Sequence, residues 1–69
     1  MKNLADLRSL QSFVTVARES NVSRAAERLH LTQPAISLQL KRLSAETGLK
    51  LFNRTSRGVE LTRDGAALL

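Results

Sequence analysis

The first part of the chain repeats apolar residues at the spacing of one helical face. They lie within residues 4–19, mostly three or four positions apart: Leu7, Leu10, Phe13, Val14 and Ala17. Because an α-helix completes a turn in about 3.6 residues, this spacing predicts an amphipathic helix that buries these side chains. Ser20 and Asn21 favour turns and should end the helix.

A second, shorter helix is predicted over residues 24–31, RAAERLHL. Ser23 precedes it and is the expected N-cap, since a serine hydroxyl can accept a hydrogen bond from a free N–H of the first turn. Ala25, Ala26 and Leu29 would form the inner face of this helix. The two small alanines would allow a neighbouring helix to approach closely.

A third helix is predicted to follow after a very short turn and to end near Thr47. Thr32 is its expected N-cap, and Pro34 fits its first turn because an N–H there has no helical partner. Gly48 stands where a left-handed C-cap is usual. The buried side would carry three apolar residues: Ile36, Leu40 and Leu43.

One leucine of this third helix lies on the wrong side for a core residue. Each residue advances about 100° around a helix, which places Leu38 almost opposite the buried side and near Pro34 and Lys41. An outward leucine close to a basic residue indicates a face that meets a partner.

Beyond this helix the apolar period changes to that of a strand. LKLFNR (49–54) and GVELT (58–62) alternate apolar with other residues on either side of a polar, basic tip, TSR (55–57). This pattern predicts a β-hairpin.

A fourth helix is predicted to begin in RDGAALL, residues 63–69. Thr62 can cap it, and Asp64 is favourable near the positive end of its dipole. Leu68 and Leu69 would have little to pack against, so we expect this segment to begin a longer helix and the chain to be part of a longer protein.

The composition suggests a class of partner. Lys and Arg total 11 against 6 Asp and Glu, so the 69-residue chain has a formal charge of +5. A small domain this basic suits a polyanion such as nucleic acid, although the same charge can serve only to keep a domain in solution. The sequence has no cysteine, no apolar run typical of a signal peptide and no apolar stretch near the roughly 20 residues that span a bilayer. We therefore expect a cytoplasmic protein without membrane contact.

Catalysis is not expected from this sequence. It lacks a Gly-rich phosphate loop, an HExxH motif and a nucleophile placed beside a base. Its one histidine, His30, is expected at a helix end or in a turn, since no second ligand is spaced to join it at a metal. The sequence thus predicts no enzyme, no cofactor and no metal site.

The order of elements predicts a mainly α, winged helix-turn-helix fold, with a three-helix core, a short β-hairpin wing and the start of a fourth, C-terminal helix. Two short helices joined by a tight turn, the second one basic, are typical of a DNA-binding helix-turn-helix. The second helix of such a pair fits the major groove, and a hairpin beside it can reach the backbone or the minor groove.

Ordered motifs within residues 23–65 make this interpretation specific. They are Ala25-Ala26, Leu29, Thr32-Gln33-Pro34-Ala35, Ser37, Leu43, Gly48-Leu49, Leu51-Phe52, Arg54, Leu61-Thr62 and Gly65. Together they resemble the N-terminal DNA-binding domain of LysR-type transcriptional regulators, from whose pattern Leu38 and Ser44 depart. The expected limits are residues 5–62 for the DNA-binding domain, about 22–41 for the helix-turn-helix, about 50–61 for the wing and 63–69 for the start of the linker helix.

The resemblance implies DNA contacts from the third helix and the wing. Gln33 would recognise a base edge through its amide, Pro34 would pack on a base or sugar, and Ser37 would contact a phosphate or a base edge. Arg57 at the wing tip would enter the minor groove, where a narrow A-tract attracts cations. Arg54 would hold a phosphate or brace the wing. Without this context, both arginines would be interpreted as solvated loop charges.

Four further residues complete the expected interface. Ser23 and Thr32 are N-caps first, and either could also direct a helix N-terminus at a phosphate. Lys41, on the outward side, is an expected phosphate contact. Leu38 can pack on a thymine methyl group, although a single exposed leucine needs no explanation. Three other cations are interpreted as general surface charge: Arg24, Arg28 and Lys50.

The resemblance also implies partners. Promoter or operator DNA would be bound as a duplex by a homodimer or tetramer that assembles through the linker helix. A C-terminal domain outside these 69 residues would bind a small-molecule co-inducer. Two alternatives remain open: a winged-helix module that binds protein, and an architectural protein that binds DNA without sequence preference.

Overall fold

The computed structural model describes residues 7–69 of the chain. Its elements are α1 (Leu7–Glu19), α2 (Val22–Leu29), α3 (Gln33–Thr47), β1 (Phe52–Thr55), β2 (Gly58–Leu61) and α4 (Arg63–Leu68). The predicted start of the first helix, residues 4–6, and the first two residues of the predicted domain lie outside the described residues.

α1 buries a face that overlaps the predicted one only in part. Its buried residues are Ser9, Ser12, Phe13 and Val16. The predicted face was right for Phe13 and for Val14, which is half-buried against the core, and Ala17 is half-buried too. Leu7 is 78% exposed and Leu10 is 38% exposed. The hydroxyl of Ser12 donates to Oε1 of Gln39 on α3. A hydrogen-bonded serine can be buried at little cost, and its small side chain lets α3 come close.

The predicted N-cap of α2 was wrong by two residues. Asn21 caps this helix, since its backbone is extended and its Oδ1 accepts the N–H of Arg24 at 2.9 Å. α1 ends in a sharp turn at Ser20, whose φ is +55°, and α2 therefore begins at once. Ser23 lies inside the first turn. α2 ends at Leu29 rather than near Leu31, with His30 in the left-handed conformation at its C-cap, as a turn residue should be.

The predictions for α3 are confirmed. Thr32 caps the helix by accepting the N–H of Ala35 at 3.2 Å, and Pro34 lies in the first turn. Gly48, with φ +73°, ends it and donates its N–H to the carbonyl of Ser44. Ile36 and Leu43 are fully buried, Leu40 is half-buried and Leu38 is 49% exposed.

The core joins the three helices to the hairpin. One cluster of buried residues consists of Val16, Ala25, Ala26 and Ile36, and the other of Phe13, Leu43 and Leu51. Leu40 and Phe52 pack against both clusters. The rings of Phe13 and Phe52 lie 5.6 Å apart between centroids, tilted by 57°, a favourable aromatic geometry. The wing therefore shares one core with α1 and α3.

The wing is a two-stranded antiparallel hairpin in which Phe52 pairs with Leu61 and Thr55 with Gly58. β1 begins three residues later than the predicted Leu49. The reason is the partner strand, which ends at Leu61 because Thr62 caps α4. The carbonyl of Leu51 instead accepts the N–H of Thr62 at 3.0 Å.

Two close backbone approaches fix the wing and α4. Val59 donates its N–H to the carbonyl of Ser20 at 3.1 Å, and a Cβ on Gly58 would lie 2.3 Å from that same oxygen. A Cβ on Gly65 of α4 would lie 2.2 Å from the carbonyl oxygen of Leu51. Both positions therefore require glycine. Thr62 caps α4 as predicted, by accepting the N–H of Gly65 at 2.9 Å.

Candidate nucleic-acid interface

Two adjoining clefts separate α3 from the wing. One, of about 230 Å³, lies beside the first turns of α2 and α3, and the other, of about 280 Å³, lies between α3 and β1. They share four lining residues: Val22, Ser37, Arg54 and Val59. We call the two clefts together the helix–wing trough, because they form one depression between the helix and the hairpin.

The helix–wing trough brings together most of the residues that the sequence predicts to bind DNA. Those in its lining are Ser23, Gln33, Ser37, Lys41 and Arg54. The others lie outside the lining: Thr32, Pro34, Leu38 and Arg57. All nine side chains are exposed. Five of the nine predicted residues thus line one depression.

The first turn of α3 presents Gln33 and Pro34 to the outside. The helix begins here because Thr32 supplies the cap, and this occupies the Thr32 hydroxyl with the N–H of Ala35. The Gln33 amide carries both donors and an acceptor, as a base edge does. The start of α3 can therefore recognise bases, while Thr32 acts foremost on the helix itself.

The outward side of α3 continues this surface. Ser37 and Lys41 are four residues apart, so they follow one another on the same side of the helix and both line the trough. Leu38, beside Ser37, is 49% exposed and adds an apolar group to an otherwise polar face.

The wing places its two arginines differently. Arg54 lies on β1 and lines both clefts of the trough. Arg57 lies in the turn between the strands, where its backbone N–H donates to Oγ1 of Thr55 at 3.2 Å. Arg54 therefore faces α3, whereas Arg57 stands at the tip of the hairpin.

Ser23 lines the trough without capping α2. Because Asn21 caps the helix, the hydroxyl of Ser23 is exposed beside it in the same cleft. The predicted capping role of Ser23 was wrong. Its predicted contact with a DNA phosphate stays a prediction, and its exposed position in the trough is compatible with that contact.

Sequence reasoning missed four polar residues of the trough: Asn21, Ser44, Lys50 and Asn53. Lys50 was assigned to general surface charge, but it lines the cleft together with Lys41. The period of two that predicts the hairpin also puts Lys50 and Arg54 on the same face of the extended chain. Arg28, by contrast, lies outside the trough and pairs with Glu19 at 2.9 Å.

Other kinds of site find no support in the part of the chain that the structure describes. Residues 7–69 contain no group of three or more His, Cys, Asp or Glu side chains that could hold a metal ion. Over the same residues, none of the helices combines the length and the apolar character needed to cross a bilayer.

Comparison with known families gives one match, to the model described as bacterial regulatory helix-turn-helix protein, lysR family, over residues 7–66. Among curated relatives, the transcriptional regulator CfxR of Cupriavidus necator is 54% identical over 63 residues, which are 91% of this chain and 20% of that protein. The regulator BudR of Klebsiella aerogenes is 53% identical over 62 residues, or 90% of this chain and 43% of that protein. The chain therefore spans less than half of the length of these relatives.

Solved structures of DNA-binding domains are also similar to this chain. The DNA-binding domain of CbnR, in a crystal structure with DNA, is 44% identical and superposes with a TM-score of 0.88 over 93% of this chain and 74% of that one. The DNA-binding domain of BenM, in a complex with catB site 1 DNA, is 39% identical, with a TM-score of 0.85 over 90% of this chain and 69% of that one. The predicted winged helix-turn-helix fold is thereby confirmed.

Proposed function

The chain belongs to the lysR family of bacterial regulatory helix-turn-helix proteins, and we propose that it binds double-stranded DNA sequence-specifically, with α3 in the major groove and the wing at the adjacent minor groove. The observation that carries this proposal is the helix–wing trough, because exposed polar and cationic side chains from α2, α3 and the wing open onto one depression. The DNA-binding domains of CbnR and BenM, which are similar over most of this chain, were both crystallised in complex with DNA.

α3 supplies the base contacts in this proposal. B-DNA's major groove admits an α-helix, and the first turn of a recognition helix meets the base edges. Gln33 can donate to and accept from an adenine edge at once, and Pro34 beside it packs against a base or sugar. Ser37, one turn further, contacts a phosphate or a base edge.

In this proposal the wing positions the domain on the DNA and recognises the shape of the minor groove. Arg57, at the exposed tip, inserts into the minor groove, where a narrow A·T-rich tract has an enhanced negative potential. Arg54 contacts the backbone from within the trough. Further phosphate contacts come from Lys41, from Ser23 and from the N-terminus of α3, which Thr32 caps. These contacts fix the orientation of the domain on the duplex without selecting a base sequence.

We place this domain in a longer transcriptional regulator. The chain covers only a fraction of CfxR and BudR, so the whole protein would add further parts. In our proposal, residues 63–69 begin a linker helix that pairs subunits into a homodimer or tetramer, and a C-terminal domain binds a small-molecule co-inducer. The domain itself has no catalytic role, and it acts in the cytoplasm, where bacterial promoters are.

A selection from a random duplex pool tests the proposal. The 69-residue chain is used to enrich bound sequences, and its affinity for the selected duplex is compared with that for a scrambled duplex of equal length and composition. Each altered base pair should cost about 1–3 kcal/mol, so several changes should weaken binding at least about a hundredfold. The logarithm of the affinity should also fall linearly with the logarithm of the salt concentration.

The same experiment separates the alternatives. Equal affinity for the selected and scrambled duplexes would indicate an architectural protein. Absence of salt-dependent duplex binding would indicate a winged-helix module that binds protein. Either result would exclude sequence-specific DNA binding by this chain.

A further inference from the structure

A helix in the major groove and a hairpin in the neighbouring minor groove lie on opposite sides of a single sugar–phosphate strand, because that strand separates the two grooves. We propose that this strand lies in the helix–wing trough and that Lys41 and Lys50 bind its phosphates at the α3–β1 end. This inference rests on the proposed function, and it assigns DNA contact to Lys50, a residue outside the expected interface.

The charge of the α3–β1 cleft fits a phosphate strand. Its lining contains three cations, Lys41, Lys50 and Arg54, and no acidic residue. Within residues 7–69, none of the three has an ion-pair partner. Like charges held around one depression repel each other, so an anion brought between them relieves that repulsion and gains Coulomb energy.

Neutral donors complete the lining of this cleft. Ser37 and Ser44 come from α3, and Asn53 comes from β1. Hydroxyl and amide groups are common donors to phosphate oxygens in protein–DNA complexes, together with lysine and arginine. The cleft therefore offers charged and neutral donors from both of its walls.

The main chain at Lys50 is held in place by the cap of α4. The carbonyl of Lys50 accepts the hydroxyl of Thr62 at 2.5 Å, and the next carbonyl, that of Leu51, accepts the N–H of Thr62. The side chain of Leu51 is 2% exposed and anchors this segment in the core. Lys50 itself is exposed, so its ammonium group is presented from a fixed backbone rather than from a loose loop.

The salt dependence of DNA binding measures these contacts. The logarithm of affinity for the selected duplex is plotted against the logarithm of salt concentration between about 50 and about 200 mM, where each phosphate contact contributes about 0.9 to the slope. Lys50→Gln and Lys41→Gln should each reduce the slope by about that amount, and the double variant by about twice as much. Affinities for selected and scrambled duplexes should fall by the same factor, since phosphate contacts carry no sequence information.

Two further variants make the result specific. Arg8→Gln removes one charge from a cleft on another surface, which shares no lining residue with the trough, and it should leave the slope unchanged. Lys50→Arg keeps the charge and should keep the slope. One outcome would be that the parent chain binds DNA specifically while Lys50→Gln retains the parent slope with an unchanged thermal midpoint. In that case Lys50 binds no phosphate and this inference is wrong, whereas the proposed function stands. If the parent chain binds no duplex, both are wrong.

Discussion

Among single residues, Leu38 is the one whose chemistry is least expected at its position. It is 49% exposed on the outward side of α3, next to Ser37, which lines the helix–wing trough. A leucine has no hydrogen-bonding group, so it can contribute to base recognition only by apolar contact. The thymine methyl group is the apolar feature of the major groove, and we therefore expect Leu38 to favour thymine at one position of the site.

Replacement of thymine by deoxyuridine tests this contact directly, because it removes only the methyl group. The parent chain should lose about fourfold in affinity at the contacted position, the equivalent of about 0.8 kcal/mol for one buried methyl group. Leu38→Ala should bind the two duplexes equally. Leu31→Ala serves as a matched control, since Leu31 is 39% exposed but lines a separate cleft with Arg8, which shares no residue with the trough. If the parent chain tolerates deoxyuridine at every position, Leu38 does not contact a thymine methyl.

Among the elements, the start of α2 has two neighbouring trough residues, of which only Asn21 caps the helix. Asn21 makes the capping hydrogen bond to the N–H of Arg24, whereas Ser23 is exposed in the first turn. Asn21→Ala should therefore destabilise the fold by about 1 kcal/mol, which lowers the thermal midpoint by about 4–8 °C in a domain of this size. Ser23→Ala should change the midpoint little, because most exposed substitutions stay within about 0.5 kcal/mol.

The same pair of variants separates stability from binding. Asn21→Ser keeps a capping side chain and should keep the parent midpoint. Ser23→Ala should weaken DNA binding while the fold stays intact, if its hydroxyl meets a phosphate. Both quantities are measured by circular dichroism melting and by fluorescence anisotropy on the selected duplex. A larger loss of stability from Ser23→Ala than from Asn21→Ala would contradict the observed cap.

The elements also differ in how far the sequence could predict them. α3 was predicted correctly because its signals are local: a cap at Thr32, a first-turn Pro34 and a left-handed Gly48. The buried face of α1 was only partly right, because burial of Ser12 depends on Gln39, which lies 27 residues away. No pattern within the helix reveals that partner.

In the candidate site, too, local sequence signals were predicted correctly and contacts between distant residues were missed. Gln33, Ser37 and Arg54 were placed on one surface by the predicted motif, and the structure brings them into one trough. Lys50 was missed because its position depends on the carbonyl contacts with Thr62, which lies 12 residues further along the chain. Short-range periodicity predicts which face a residue occupies, but not which other element stands opposite.

In the whole molecule, the wing and the helix-turn-helix act as one body because β2 is attached to the turn between α1 and α2. The attachment is the hydrogen bond from Val59 to the carbonyl of Ser20, and it is possible only because Gly58 has no Cβ. Together with the core that Leu40 and Phe52 share, this contact sets the relative placement of α3 and the wing, and with it the width of the helix–wing trough. We therefore expect stability and DNA binding to fail together when it is disrupted.

Gly58→Ala tests this coupling, with Gly48→Ala as its matched control. Both glycines have positive φ, +150° and +73°, so alanine is strained at each, but a Cβ at Gly48 meets nothing within 4 Å whereas one at Gly58 lies 2.3 Å from backbone. Gly48→Ala should cost about 1–2 kcal/mol of unfolding free energy, and Gly58→Ala should cost more, because two backbone segments must separate. In urea denaturation both differences appear as shifts of the midpoint. At temperatures where both variants remain folded, Gly58→Ala should also bind the selected duplex more weakly than Gly48→Ala does. Equal stability and equal affinity of the two variants would show that the wing does not depend on the Ser20 contact.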